Sequence, residues 1–161
     1  MAEILIRPAH AADADSVARL IAANAGFHGK PEMAKLTPGS VRRDGFGAEP
    51  LFWAYLAENH TEPVGIAQFY FIYRGWTGSR AIYVSDLFVE EAARGQGIGR
   101  RLMAAVARRA KEAGCGGLSL GVRNDNPARH FYERLGMSVY ADSVSCRLEG
   151  EALARLAAEI D

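Results

Sequence analysis

The run Val89-Glu-Glu-Ala-Ala-Arg94-Gly95-Gln96-Gly97-Ile98-Gly99-Arg100-Arg101 constrains this chain more than any other segment. Before it, AIYVSDLFV (81–89) has the aliphatic and aromatic content of a strand. After it, Ile98, Leu102, Val106 and Ala110 recur every fourth residue, which predicts a helix from Gly97 to Ala113. Glycines at 95, 97 and 99 let the backbone turn tightly and come close to a ligand. They also leave N–H groups at the positive end of the helix dipole, a geometry that suits a pyrophosphate. From Arg94 to Lys111 there are six basic residues and no acidic one. Cations toward the C-terminal end of that helix, Arg108, Arg109 and Lys111, are favoured by the dipole in any case. A dinucleotide fingerprint spaces its glycines G-x-G-x-x-G and needs an acid about 20 positions on. Here the spacing is G-x-G-x-G, and residues 116–122 offer no acid.

Around this turn the pattern predicts a mixed sheet with helices on its faces. ILIR (4–7) reads as a short strand, followed by a helix on which Val17, Leu20, Ile21 and Ala25 share a face and Asp13 is the cap. Residues 26–50 are rich in proline and glycine, predicting loops with one short helix near Ser40–Asp44. LFWAYLAE (51–58), VGIAQFYFIYR (64–74) and AIYVSDLFV form an antiparallel meander. GLSLGV (117–122) is a strand reached by a right-handed crossover and therefore parallel to 81–89. Pro127 opens a helix carrying Phe131 and Leu135. MSVYA and VSCRL are read as strands and EALARLAAEI as a terminal helix.

Composition removes several classes of function. A chain of 161 residues with 49% hydrophobic and 24% charged residues is expected to be a single globular domain, 1–161. Nineteen basic residues balance nineteen acidic ones, which argues against a nucleic-acid partner. The longest apolar runs fall far short of the roughly 20 residues needed to span a bilayer. The start MAEILIRPAH lacks the basic and apolar stretches of a signal peptide, so a cytoplasmic location is expected. Cys115 and Cys146 are too few for a disulfide framework and read as incidental thiols. His10, His28, His60 and His130 are scattered, so no metal site is expected.

Two segments carry a family resemblance. Arg94-Gly-Gln-Gly-Ile-Gly99 resembles the R/Q-x-x-G-x-G/A motif of the GNAT superfamily of acyl-CoA-dependent N-acetyltransferases. Pro127-Ala-Arg-His-Phe-Tyr132-Glu-Arg-Leu-Gly136-Met137 resembles that superfamily's P-A-x-x-F-Y-x-x-x-G-F signature. RPAHAADADSVARLI, Arg43-Asp-Gly-Phe-Gly47, and Ala67-Gln-Phe-Tyr-Phe-Ile-Tyr73 with Trp76 are similar to the spermidine/spermine branch, which includes thialysine acetyltransferases. The likeness runs over roughly residues 4–150. It implies a GNAT-like fold: a largely antiparallel sheet with one splayed parallel pair and helices on both faces.

The resemblance also implies roles. Acetyl-CoA would lie along the strand end Leu87-Phe88-Val89, with its pyrophosphate on the N–H groups of Arg94, Gly95, Gln96, Gly97, Ile98, Gly99 and Arg100. Asp125, Pro127 and Ala128 match cofactor-lining positions, although asparagine is more usual where Asp125 stands. Tyr132 matches the superfamily's tyrosine, placed as general acid for the departing thiolate and beside the cofactor. An alkylammonium of pKa about 10.4 must lose a proton before attacking. The branch carries a Glu-Asp pair on the preceding strand, and here it reads Ser85-Asp86, leaving Asp86 as base or substrate anchor, with ordered water as the alternative base. Glu32, Trp76, Ser85 and Asp86 are the substrate candidates. Lys30 and Arg74 replace acidic positions of the branch and oppose a polycation, which favours an amino-acid or thialysine-like amine. A peptide or protein N-acetyltransferase and a non-catalytic acyl-CoA-binding domain are the rival readings. A homodimer is implied by the family and by the apolar segments Tyr140–Leu148 and Leu153–Ile160.

Overall fold

Period-two alternation of large apolar residues builds one sheet with two buried faces. In the computed structural model, which describes residues 3–159, strands β1 (Ile4–Pro8), β2 (Trp53–Asn59), β3 (Glu62–Arg74), β4 (Ser79–Val89) and β5 (Leu118–Leu120) lie side by side in chain order. β1 to β4 pair antiparallel, and β5 runs parallel to β4. The helices are α1 (Ala14–Phe27), α2 (Pro38–Phe46), α3 (Ile98–Glu112), α4 (Ala128–Arg134) and α5 (Gly150–Ala157). A first compact unit ends at Gly121 and contains the whole sheet with α1 to α3, while a second begins at Val122 and carries α4 and α5.

In the first unit, Ala54, Leu56, Ile66 and Phe88 point to one face and form a core with Ala14, Val17 and Leu20 of α1 and Val41 of α2. Tyr55, Ala67, Phe69, Ile82 and Val84 take the other face. There α3 packs against β1 to β4, with Ile98, Leu102, Met103 and Val106 buried. Each fully buried aliphatic side chain, such as Leu56 or Leu102, stabilises the fold by roughly 1.5–3 kcal/mol relative to exposure.

Several elements differ from the sequence expectation. The segment 26–50 holds more helix than expected, because Thr37 and Ser40 cap each other: the Ser40 N–H donates to Thr37 Oγ1 at 3.1 Å and the Thr37 N–H to Ser40 Oγ at 3.0 Å. With Pro38 in the first turn, α2 runs to nine residues. Asp13 occupies the N-cap position of α1 but makes no cap hydrogen bond. The Arg7 guanidinium claims both its oxygens at 2.8 Å. MSVYA and VSCRL are not strands: both lack regular secondary structure and a ladder partner among the described residues, and Tyr140 and Val144 are 80% and 89% exposed. Branched and aromatic residues raise strand propensity, but a strand exists only where a neighbouring strand accepts its hydrogen bonds. The terminal helix closes at Ala157, and Ile160 lies outside the described residues.

Candidate active site

The parallel ladder between β4 and β5 is short. It pairs Ile82 with Leu118, Tyr83 with Ser119 and Val84 with Leu120, then stops. β4 runs on to Val89, so Ser85–Val89 keeps β3 on one edge and has no ladder partner on the other among the described residues. Ser85 marks the change. The β3–β4 register passes from Phe69↔Val84 to Gln68↔Asp86, leaving Ser85 as the extra residue of a bulge, its Oγ donating to the Gln68 carbonyl at 3.3 Å. A bulge bends its strand and re-aims the side chains beyond it. Beyond it Leu87 and Val89 turn their main-chain groups away from β3 and Phe88 turns its groups toward it. The outer edge thus has no ladder partner among the described residues, in keeping with the splayed pair that the resemblance implies.

Beyond Val89 the chain turns through Ala93 into the glycine segment. Gly95 and Gly97 adopt φ of 78° and 72°, a region that disfavours side chains. A Cβ built on either glycine meets nothing within 4 Å, so the turn is open on its outer side. Gly97 is the N-cap of α3, with no side-chain cap and no acidic residue in the first turn. The first intrahelical bond runs from the Arg101 N–H to the Gly97 carbonyl at 3.1 Å. The N–H groups of Ile98, Gly99 and Arg100 thus lack an intrahelical acceptor at the positive end of a fifteen-residue helix. Such a helix end favours an anion and carries no acidic side chain of its own.

The basic run resolves into separate jobs. Arg94 Nε donates to the Val89 carbonyl at 2.9 Å, and its guanidinium stacks 4.4 Å from the centre of the Phe27 ring. Arg101 donates to the Ile4 carbonyl, Arg108 pairs with Glu112, and Arg109 lies over Phe71. Arg100 is exposed and makes no ion pair or side-chain hydrogen bond among the described residues.

On the α1 face of the sheet, Asp86 is half-buried, and Asn24 Nδ2 donates to its Oδ1 at 3.0 Å. Gln68 stands opposite Asp86, and its amide oxygen is enclosed without a partner. Two register pairs further on, on the same face, the rings of Tyr70 and Tyr83 lie 5.3 Å apart. Glu32 is exposed in a single 3-10 turn after α1. Trp76 stands fully exposed at the β3–β4 turn. Asn24, Gln68 and Phe27 were absent from the candidates drawn from sequence. Asn24 had a signal, a polar residue on the same helix face as Leu20 and Ile21.

In the second unit, the Ala128 N–H donates to Asn126 Oδ1 at 2.9 Å, so Asn126 orients the start of α4 beside Pro127. The Asp125 carboxylate is taken up by Arg123, at 3.0 and 2.9 Å, which holds it below the usual carboxylate range. Tyr132 is half-buried, and burial pushes its phenol above 10. Among the described residues no group of three histidine, cysteine or acidic side chains could hold a metal, and no helix is long and apolar enough to cross a membrane.

The Acetyltransferase (GNAT) family profile matches residues 20–137 of this chain. The chain belongs to that family. It is similar to a thialysine N-epsilon-acetyltransferase of Sus scrofa, 36% identical over 169 residues and spanning 98% of this chain and 99% of the relative. It is also similar to a human spermidine/spermine N(1)-acetyltransferase-like protein, 36% identical over 61% of this chain but only 15% of the relative. Among solved structures, an integron cassette protein from the mobile metagenome of V. cholerae superposes with a TM-score of 0.78 at 26% identity, covering 96% of this chain and 97% of its own. The GNAT fold is thus established, and the chain is an N-acetyltransferase that passes an acetyl group to a small-molecule amine. Acetyl-CoA is the acyl donor of this family.

Proposed function

We propose that the chain acts as one catalytic domain that acetylates the primary amine of an amino-acid or thialysine-like molecule by direct attack within a ternary complex. The observation that carries the donor half is the open turn: uncapped α3 amides behind two left-handed glycines, at the end of a strand with a free main-chain edge. These features fit acetyl-CoA, which supplies an activated acetyl thioester when bound. The N–H groups of residues 95–100 would hold its pyrophosphate with Arg100 adding charge, the Arg94 N–H being already given to the Glu91 carbonyl at 3.1 Å. Leu87 and Val89, which alternate with Phe88 in facing away from β3, would offer main-chain hydrogen bonds to its arm. Asp125, Pro127 and Ala128 complete that lining by resemblance, Asp125 through a carboxylate already paired with Arg123.

The acceptor must arrive as a free amine, and Asp86 anchors it and receives its proton directly or through water. Tyr132 Oη gives a proton to the departing sulfur, a role that suits a phenol kept protonated by burial. Ser85 and Glu32 are the remaining substrate contacts we assign. Trp76 joins them only if the β3–β4 turn moves from its exposed position. Lys30 and Arg74 favour an acceptor carrying a carboxylate over a polyamine. We also infer a homodimer in the cytoplasm, supported by the exposed Tyr140, Val144, Leu148, Leu153 and Leu156 of the second unit.

The test is thiol release from acetyl-CoA with polyamines, lysine analogues, amino acids, aminoglycosides and a short peptide, run with wild type and Tyr132→Phe. Turnover of amino-acid or thialysine-like amines, cut at least about tenfold by the substitution, is the expected result. Spermidine as the best acceptor would overturn the substrate reading, and saturable binding without turnover of any amine would overturn the catalytic one.

A further inference from the structure

Asn24 is a polar residue, 8% exposed, in the buried stripe of α1, where its neighbours are Val17, Ala18 and Leu20. Burying an amide among apolar residues is unfavourable unless its hydrogen bonds are made. The bond it makes reaches 62 residues along the chain to Asp86 Oδ1, at 3.0 Å. An ionised carboxylate accepts and cannot donate, so the amide nitrogen must be the atom that faces it. Asp86 Oδ2 receives no hydrogen bond or ion pair among the described residues, and neither does the amide oxygen of Gln68 opposite. The Gln68 oxygen is enclosed, whereas Asp86 is a half-buried residue, so Oδ2 is the acceptor on this face left for a donor, and a primary amine brings donors.

We propose that Asn24 is a positioning residue for the acceptor amine: it ties Asp86 Oδ1 to α1 and fixes the carboxylate with Oδ2 free for the amine N–H. The inference deepens the reading of Asp86 as the amine's anchor and rests on it. Asn24 touches no reacting atom and acts through Asp86 alone.

The experiment uses four proteins: wild type, Asn24→Leu, Asp86→Ala and the double variant. Leucine matches asparagine in size and keeps the α1 stripe filled. Asn24→Leu should raise the amine KM by about tenfold or more, since a hydrogen bond to a charged group is at stake, and leave the acetyl-CoA KM within about twofold. Added to Asp86→Ala, it should raise the amine KM no further. Thermal unfolding of the same four proteins, without substrate, should also be non-additive. Additive effects in both measurements, or equal shifts in the two KM values, would overturn the proposal. Non-additive unfolding together with no turnover of any amine by wild type would uphold the Asn24–Asp86 bond and overturn its role in amine acetylation, so the two failures are distinct.

Discussion

Arg94 closes the approach to the glycine turn by bonding back onto Val89, Nε to carbonyl at 2.9 Å, while its guanidinium rests 4.4 Å from the centre of the Phe27 ring. One side chain thereby joins the end of α1, the end of β4 and the start of the turn. Arg94 thus shapes the turn as much as it charges it.

Arg94→Ala should weaken acetyl-CoA binding by about 1–2 kcal/mol, the combined size of an exposed cation–π contact and one hydrogen bond. Phe27→Leu removes only the ring and should weaken it by about 0.5–1 kcal/mol. Calorimetric titration with acetyl-CoA checks both. An unmoved affinity in Phe27→Leu would show that the stack does not hold the turn.

Gly97 and Gly114 have nearly equal left-handed φ values, 72° and 67°, and both have open space where a Cβ would stand. Alanine at either should strain the backbone by about 1–2 kcal/mol and lower the melting temperature by about 2–8 °C. Only Gly97→Ala should raise the acetyl-CoA KM, because only Gly97 lies at the α3 N-terminus. Melting curves and initial rates for the two variants separate backbone strain from ligand binding.

Tyr132 has its phenol raised above 10 by burial. A general acid works in its protonated form, so the rate it supports is present at neutral pH and falls only as pH rises through that raised value. Wild-type kcat should therefore show no Tyr132-dependent decline around neutral pH, and any such decline should come at higher pH than an exposed tyrosine would give. Tyr132→Phe should lower kcat by about 10²–10⁴ if the phenol is the acid. A pH series of single-turnover rates for both proteins tests this.

The Arg7 guanidinium bridges Asp13 at 2.8 Å and Glu58 at 2.6 Å, tying β1 to β2 and to the turn before α1. Its hydrogen bonds hold the Asp13 carboxyl below its usual range. A depressed folded value means the stabilisation is fully present above the unfolded value of about 3.9 and is lost as pH falls through the folded one. Asp13→Asn should destabilise at neutral pH by about 1.5–3 kcal/mol, the size of hydrogen bonds to a charged group. The gap between variant and wild type should close below pH about 3.9 in denaturant titrations.

The meander, the parallel pairing of β4 with β5, α3 and the glycine turn were legible in the residues, because glycine, periodicity and strand–turn–helix order are local signals, whereas the place of β1 beside β2 was not. The bulge at Ser85 was not legible: nothing in VSDLFV marks which residue loses its partner, since register depends on β3 as well. Asn24 was overlooked for a related reason. Its meaning lies in a partner 62 residues away, and helix periodicity alone records only a lapse in the apolar stripe. MSVYA and VSCRL misled because strand propensity says nothing about the presence of a neighbour.

The edge of β4 from Ser85 to Val89 that has no ladder partner among the described residues would, on the proposed reading, separate the two halves of the chemistry in heredity. A donor gripped by main-chain N–H and C=O groups is gripped by atoms common to all residue types other than proline, so most point mutations leave that grip intact. The acceptor, on the reading proposed above, is met instead by side chains such as Asp86, replaceable in one step. A lineage built on this plan can change the amine it modifies without relearning how to hold its acyl carrier.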